Sequence, residues 1–199
     1  MPSAAGDTIY LCAVDRAGMG VSLLQSNASG WGCHLVVPGT GVFLHDRGIG
    51  FSLDAGHPAE LAPGRRPPHT LAPAVVTRDG ALHAVLGSMG GDSQPQIVLQ
   101  LLARLLRAGQ SPGTAVRSPR WAIGDGGGFD VWTRDDPPTT IEWSAPTAWE
   151  DGLAARGHRV LRAARAANLG HAHVIVRGSD GMLAGAADPR ALSGAAIGW

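Results

Sequence analysis

The chain has 199 residues, and its 16 Lys and Arg balance 16 Asp and Glu to a formal net charge of zero. That balance excludes a generic nucleic-acid binder, because affinity for the phosphate backbone comes from a surplus of clustered cations. A composition that is 44% hydrophobic and 16% charged predicts one folded domain rather than disorder. No stretch approaches the roughly 18 apolar residues of a membrane span, so we expect no membrane partner. The first twenty residues lack a signal peptide, which favours a cytoplasmic location, or an exported one if an upstream segment carries the signal.

Three hairpins are predicted from β-prone runs joined by turns that contain Asp and Gly. The paired segments are residues 8–14 with 19–25, residues 70–77 with 81–87, and residues 171–177 with 182–187. The protein is therefore expected to be rich in antiparallel sheet.

One long helix is predicted from its start signal, its periodicity and its stop signal. Pro95 suits a first helical turn, apolar residues recur at helical spacing over residues 97–106, and Gly109 ends the run. A shorter helix is predicted over residues 148–156, followed by a strand-like segment at 158–161. Hairpins separated by helices predict a layered α+β architecture.

Two stretches are expected to be loops. Residues 37–69 are rich in Gly and Pro and are too long for a simple connection, so we interpret them as a loop that builds a site. Residues 124–128 form a second Gly-rich loop, and most of residues 117–140 carry no periodic signal.

Neither the cysteines nor the histidines predict a metal centre. Cys12 and Cys33 have no CxxC spacing, and we expect two buried apolar thiols in preference to a disulfide or a redox pair. His171 and His173 alternate onto one strand face, but no third ligand is near them in the sequence. We also expect no cofactor, because the glycine turn at residues 87–92 has neither the GxxxxGK[ST] nor the GxGxxG spacing.

Two features suggest amide chemistry. Thr8 begins a predicted strand behind a short leader, residues 1–7, and a threonine hydroxyl becomes an effective nucleophile when its own freed α-amine serves as the base. Residues 87–92 lie between a strand and a helix, where glycine N–H groups stabilise a developing oxyanion. Taken singly, the two features also fit an ordinary strand start and a tight turn.

Short motifs follow one another along the chain. They are Gly6-Asp7-Thr8, VSLLQSN at 21–27, PGTGV at 38–42, RPPHTLAP at 66–73, GSMGG at 87–91 and GAADPR at 185–190. In this order they resemble the small, C-terminal subunit of the gamma-glutamyltransferase family, over essentially the whole chain after residue 7.

The resemblance implies an N-terminal nucleophile hydrolase, an αββα sandwich of which residues 8–199 form the small-subunit half. It implies that the precursor cuts itself between Asp7 and Thr8. The Thr8 hydroxyl then takes an acyl group from an amide and passes it to water or to an amine. By the same resemblance, Gly90 and Gly91 supply the oxyanion donors and Ser26 supports the nucleophile.

The resemblance also implies substrate contacts, some of which depart from the glutamyl-specific pattern. Thr70 matches the second of two serines that hold the substrate's α-carboxylate, and His69 stands at the first. Asn27 is assigned to the same site, although Ala28 replaces the family's neighbouring Asn. Gly50 stands where the pattern has the acidic residue that binds the substrate's α-ammonium, so the resemblance does not imply selectivity for gamma-glutamyl donors.

Arg47 lies near that replaced acidic position and has two interpretations. It binds a substrate carboxylate, as an acylase of glutaryl-type side chains needs, or it is a solvated or structural arginine. The expected substrate is accordingly a small amide, either a gamma-glutamyl compound or a glutaryl-like one of the kind that a cephalosporin acylase uses.

The resemblance implies a partner as well. Family enzymes contain a large N-terminal subunit, so a heterodimer is expected, and without that subunit apolar surface on the sheets of this chain would be exposed. The alternative is a non-catalytic family member that acts as a partner-binding subunit, with Thr8 as an ordinary strand residue.

Overall fold

The computed structural model describes residues 8–124, 136–164 and 169–198. Within these residues, nine strands form three sheets and three α-helices accompany them. The strands are β1 (Thr8–Val14), β2 (Gly20–Ser26), β3 (Ala74–Arg78), β4 (Ala81–Ser88), β5 (Trp121–Ile123), β6 (Thr139–Ile141), β7 (Val160–Arg162), β8 (Ala172–Arg177) and β9 (Leu183–Ala187). The helices are α1 (Gln94–Leu102), α2 (Pro112–Arg117) and α3 (Thr147–Ala154).

The first predicted hairpin is confirmed as the two-stranded sheet of β1 and β2. Thr8 pairs with Ser26 at its open end and Val14 pairs with Gly20 next to the turn. Side chains alternate along both strands, as a pleated hairpin requires. One face is buried against the four-stranded sheet and the other is exposed.

The second and third hairpins are confirmed as one antiparallel sheet with the strand order β3-β4-β8-β9. The prediction that strand structure begins at Thr70 is wrong, because β3 starts at Ala74. The backbone before it makes other hydrogen bonds: Leu71 N–H donates to His69 Nδ1 at 3.2 Å, and Ala72 N–H donates to Gln94 Oε1 at 3.2 Å.

The long predicted helix is confirmed and packs on the second face of the four-stranded sheet. The α-helix ends at Leu102, and the chain continues as a short π-helix over Ala103–Arg107. The core between helices and sheet consists of Ala84, Leu86, Ile97, Val98, Leu101, Ala115, Val116, Ala172 and Val174. Two sheets and a helical layer are thus stacked, and the expected α+β architecture is confirmed.

The short predicted helix and the strand after it are also confirmed, as α3 and β7. In the third sheet β5 and β6 are antiparallel, whereas β6 and β7 are parallel. Most of the Gly-rich loop predicted at residues 124–128 lies outside the described residues.

The expectation of two buried thiols is wrong. Both cysteines are free, Cys12 is half-buried, and Cys33 is exposed in the irregular stretch after β2. In the part of the chain that the structure describes, no helix has the length and apolar character needed to cross a bilayer.

Candidate active site

Thr8 is the first residue of β1 and is buried, on the face that packs against the four-stranded sheet. Its hydroxyl donates a hydrogen bond of 2.9 Å to Ser26 Oγ. Their pairing across the hairpin explains the contact, since directly opposed residues on one face of a sheet meet. Ser26 Oγ also accepts the N–H of Ala28 at 3.0 Å. Both hydroxyls predicted to cooperate are therefore brought together.

The register of the two packed sheets shows which end of β4 lies near Thr8. A Cβ added to Gly20, next to the β1–β2 turn, would lie 2.9 Å from Val85, and one added to Gly87 would lie 2.4 Å from the Tyr10 ring. Moving from Val85 to Gly87 along β4 thus corresponds to moving towards Thr8 along β1. Thr8 begins β1 and the Gly90-Gly91 turn follows β4, so both lie at the same end of the stacked sheets.

The Gly90-Gly91 turn leads from β4 into α1 with a backbone that favours glycine. The φ angles of Gly90 and Gly91 are 138° and 53°, in the left-handed half of conformational space. The Gly90 carbonyl accepts hydrogen bonds from Ser93 N–H at 3.0 Å and from Ser93 Oγ at 2.6 Å. No hydrogen bond among the described residues occupies the N–H of Gly90 or Gly91, so both donors are available to an oxyanion.

Arg47 and Thr70 form the second polar group of the site. Arg47 lies in a short 3₁₀ turn, Arg47–Gly50, and is only 7% exposed. Its Nη1 donates to the buried hydroxyl of Thr70 at 3.0 Å. Burial lowers the pKa of the Arg47 guanidinium, while the neighbouring Asp46 carboxylate acts in the opposite direction. The interpretation of Arg47 as a solvated arginine is therefore wrong.

Gly50 is buried against the segment that carries Thr70. A Cβ added at this position would lie 2.8 Å from the carbonyl oxygen of Pro68, which is closer than side-chain carbons come to backbone oxygens. The backbone thus leaves no room for an acidic side chain at the position where the glutamyl-specific pattern has one.

The backbone connects the two polar groups. The carbonyl of Asn27 accepts the N–H of Asp46 at 3.0 Å, and the Asp46 carboxylate accepts the N–H of Ser29 at 2.9 Å. Since Asn27 follows Ser26 and Asp46 precedes Arg47, these bonds tie the Thr8–Ser26 pair to the arginine.

Two other predicted substrate contacts, His69 and Asn27, make local or main-chain hydrogen bonds in the structure. His69 is exposed, and its Nδ1 accepts the N–H of Leu71 two residues away. Asn27 contributes its main-chain carbonyl to the connection described above. Asp7, the expected cleavage residue, lies outside the described residues.

Gln94 is a site residue that the sequence reasoning missed. It is fully buried at the start of α1, and its Oε1 accepts the Ala72 N–H, so it ties the Thr70 segment to the glycine turn. Its position three residues after Gly91 was the only sequence signal for it.

The histidines of the β8 region do not form a ligand set. His173 stacks on Tyr10 with ring centroids 6.3 Å apart, and its Nδ1 accepts the Asp188 N–H at 3.4 Å. Burial lowers the pKa of both His171 and His173. Among the residues that the structure describes, no group of three His, Cys, Asp or Glu is arranged to hold a metal ion.

Comparisons with known proteins agree with this architecture. The oxamate amidohydrolase proenzyme of Klebsiella pneumoniae is 38% identical over 195 residues, covering 98% of this chain and 36% of that protein. The glutathione hydrolase-like YwrD proenzyme of Bacillus subtilis is 34% identical over 193 residues, covering 96% and 36%. The structure of the cephalosporin acylase from Bacillus halodurans is 32% identical with a TM-score of 0.77, covering 90% of this chain and 32% of that one.

The chain thus spans about a third of the length of these relatives. The gamma-glutamyltranspeptidase family model matches residues 2–198, almost the whole chain. This match and the shared fold give the same result: the chain belongs to the gamma-glutamyltranspeptidase family.

Proposed function

We propose that this chain is the catalytic small subunit of an amidohydrolase or acyltransferase whose nucleophile is Thr8. The observation that carries the proposal is the 2.9 Å hydrogen bond from the Thr8 hydroxyl to Ser26, at the end of the sheets where the Gly90-Gly91 turn lies. A nucleophile needs a hydroxyl fixed in direction, and the transition state needs donors at the developing oxyanion. Thr8 and Ser26 on paired strands, and Gly90 and Gly91 at the start of a helix, support this assignment.

The proposed reaction begins when the Thr8 hydroxyl attacks the carbonyl carbon of Asp7, and the C–N bond between the two residues breaks to leave an ester. Water then hydrolyses this ester, which releases the Asp7 carboxylate and restores the hydroxyl of a Thr8 that now has a free α-amine. In turnover the Thr8 hydroxyl oxygen attacks the amide carbon of the substrate, and the hydroxyl proton passes to the α-amine of Thr8. The N–H groups of Gly90 and Gly91 stabilise the oxyanion. Collapse of the intermediate breaks the amide C–N bond, the departing amine takes the proton, and a Thr8 ester remains. Water or a second amine then attacks the ester and restores the hydroxyl.

For the acyl group we propose a chain with a terminal carboxylate, of the glutaryl type. Arg47 and Thr70 present a guanidinium and a hydroxyl side by side, and a guanidinium matches a carboxylate in charge and geometry. The crowding of Gly50 by Pro68 removes the partner that the α-ammonium of a gamma-glutamyl group requires. We therefore favour an acylase-like substrate over a gamma-glutamyl one.

We further propose that a large subunit covers the outer face of the β1–β2 hairpin. Four apolar side chains alternate onto that face, and their exposed fractions are 65% for Ile9, 46% for Leu11, 49% for Val21 and 45% for Leu23. Apolar surface of this kind on one side of a hairpin is stable in water only when something covers it. The Klebsiella and Bacillus relatives are named proenzymes and are about three times as long as this chain. Both facts support a partner that is made as part of the same precursor.

The test compares wild type and Thr8→Ala in the full enzyme, with the large subunit present. Intact-mass measurement is expected to show a subunit that begins at Thr8 in wild type only, and glutaryl-p-nitroanilide is expected to release nitroaniline in wild type only. Equal melting temperatures of the unprocessed Thr8→Ala protein and a wild-type precursor caught before cleavage show that the fold is intact. A wild-type chain that keeps residues 1–7 and has no turnover would instead support the non-catalytic, partner-binding alternative.

A further inference from the structure

Four charged side chains that the proposed mechanism does not use form a buried cluster. Arg120 pairs with Asp188, Arg190 pairs with Glu142, and Arg190 Nη1 also lies 3.0 Å from Asp188 Oδ1. The side chains of Arg120 and Asp188 are 2% and 0% exposed. We call these four residues the buried charge cluster.

The ends of two sheets bring the cluster together. Arg120 precedes β5 and Glu142 follows β6, and the antiparallel register of these strands sets them opposite each other. Asp188 follows β9 in the same way, opposite Ala172 at the start of β8. The cluster therefore lies where the three-stranded sheet meets the four-stranded one.

The buried charge cluster holds the backbone of residues 169–172 at several points. Arg120 Nη1 donates to the carbonyls of Leu169 and Gly170 at 2.9 and 3.1 Å. Asp188 accepts the N–H of Ala172 at 2.9 Å, and Glu142 accepts the N–H of Leu169 at 3.5 Å. Buried ion pairs stabilise a fold no better than well-packed apolar side chains do, but apolar side chains cannot hold peptide groups in a fixed direction.

The carboxylate of Asp188 is charged at neutral pH. Burial alone raises the pKa of Asp188, but the charge of Arg120 and the N–H groups of Ala172 and Arg190 outweigh it and hold that pKa below its ordinary value. Asp188 is therefore ionised at neutral pH, and the hydrogen bond that it accepts from the Ala172 N–H is charge-assisted.

Residues 169–172 lie directly against the turn that carries the oxyanion donors. Met89 N–H donates to the His171 carbonyl at 3.2 Å. A Cβ added to Gly170, whose φ is +74°, would lie 2.3 Å from the Met89 carbonyl oxygen and 2.7 Å from Ser88 Oγ. One added to Gly90 would lie 3.4 Å from the Gly170 Cα. The contact is so close that a shift of residues 169–172 moves the Met89–Gly90 peptide.

We propose that the buried charge cluster positions the oxyanion donors: through residues 169–172 it fixes the direction of the Gly90 and Gly91 N–H groups. Its members are positioning residues, since none of them touches the reacting atoms. The inference rests on the proposed function of the Gly90-Gly91 turn. Because catalysis depends on donors preorganised for the transition state, loosening the cluster lowers kcat and leaves substrate binding largely unchanged.

The test uses Asp188→Asn, which keeps the shape of the side chain and removes its charge, and Gly170→Ala, which presses on Met89 directly. Losing an oxyanion donor lowers kcat about 10²- to 10³-fold, so a misdirected donor is expected to lower it about tenfold or more. KM for glutaryl-p-nitroanilide is expected to change less than about threefold, because Arg47 and Thr70 are untouched.

Gln100→Leu is the matched control. Gln100 is also buried, and it binds backbone atoms of Trp121 through Nε2 and Oε1 at 2.8 and 3.1 Å, but no hydrogen bond links it to residues 88–91 or 169–172. If Gln100→Leu causes only a general loss of stability, it lowers the melting temperature as Asp188→Asn does. Its kcat per folded molecule then stays within about threefold of wild type. If Asp188→Asn and Gly170→Ala behave like this control, or if their kcat is unchanged, the inference is wrong.

A second measurement separates failure of this inference from failure of the proposed function. Amide chemical shifts and hydrogen exchange of Gly90 and Gly91, measured by NMR, are expected to change in Asp188→Asn and to stay the same in Gln100→Leu, whether or not the enzyme turns over the anilide. Where Asp188→Asn does not fold, Glu142→Gln and Gly170→Ala give the same two readouts. An inactive wild type refutes the function alone, whereas unchanged glycine amides refute the positioning role.

Discussion

Replacing Arg47 with Met tests the proposed carboxylate site, because the substitution keeps a long unbranched side chain and removes the guanidinium. Arg47 is 7% exposed and donates to Thr70 at 3.0 Å, so its interaction with a substrate carboxylate takes place largely out of water. A hydrogen bond to a charged group contributes about 1.5–3 kcal/mol. At about 1.4 kcal/mol per tenfold, kcat/KM for a carboxylate-bearing substrate is expected to fall roughly 10- to 150-fold.

The assay follows nitroaniline release from two substrates, glutaryl-p-nitroanilide and its counterpart in which a carboxamide replaces the carboxylate. Arg47→Met is expected to lower kcat/KM for the first and to change that for the second by less than about threefold, because only the first has a charge to lose. The ratio of the two values cancels any general loss of folded enzyme. Arg65→Met is the matched control, since Arg65 is exposed in the same irregular stretch and its Nη1 donates to the nearby Glu60 carbonyl at 3.0 Å.

The reasoning is refuted if the ratio of the two kcat/KM values is the same in Arg47→Met as in wild type. Arg47 is then a structural arginine that holds Thr70 in place. An equal fall in kcat/KM for both substrates leaves this ratio unchanged and leads to the same conclusion. Arg47→Lys then separates a carboxylate-binding role of Arg47 from a structural one. Lys keeps the charge without the planar pair of donors, so a partial loss confined to the carboxylate substrate is expected.

Three further predictions follow from the site and its surroundings. Ser26→Ala removes the acceptor of the Thr8 hydroxyl and is expected to lower kcat about tenfold with KM little changed, whereas Ser26→Thr restores most of the rate, as stopped-time turnover assays can show. Gly50→Asp is expected to destabilise the chain by about 1–3 kcal/mol in urea unfolding, because its Cβ meets the Pro68 carbonyl, and not to produce turnover of a gamma-glutamyl anilide. Asp188→Asn is expected to cost about 3 kcal/mol or more at pH 7, and the difference from wild type should narrow below about pH 4. The sign follows from the lowered pKa of Asp188, since the stability contributed by the ionised carboxylate is complete above its unfolded pKa and is lost as the pH falls through the folded one.

Those parts of the fold that depend on neighbouring residues could be predicted from the sequence. The β1–β2 hairpin and the helix α1 each have a local period and local stop signals. Both strands lie within one residue of their predicted bounds, whereas α1 ends at Leu102 and only its π-helical continuation to Arg107 covers the rest of the predicted run. The error at residues 70–73 has a physical cause of the same kind. β-prone residues stood there, but the N–H of Ala72 found a partner in Gln94, 22 residues away, which no local pattern records.

The site itself was predictable only in part, for the same reason. Thr8 and Ser26 meet because they are paired across the hairpin, whose predicted second strand was one residue out of register. The Arg47–Thr70 contact spans 23 residues of irregular chain, and no periodicity specifies which side chain an irregular loop buries. The buried charge cluster is harder still, since Glu142 and Arg190 are separated by 48 residues and meet only after two sheets have formed.

In the proposed site, the backbone would limit substrate specificity together with the side chains. An acidic residue for an α-ammonium cannot be restored at Gly50 by substitution alone, because the Pro68 carbonyl occupies the space that its Cβ needs. Moving Pro68 would also move Thr70, two residues on, and with it the acceptor of the Arg47 guanidinium. The close approach of Gly50 to Pro68 and the Arg47–Thr70 hydrogen bond thus depend on the same short segment of backbone. A change of substrate class towards gamma-glutamyl compounds therefore requires a different path of residues 66–70, and not a single exchange of charge.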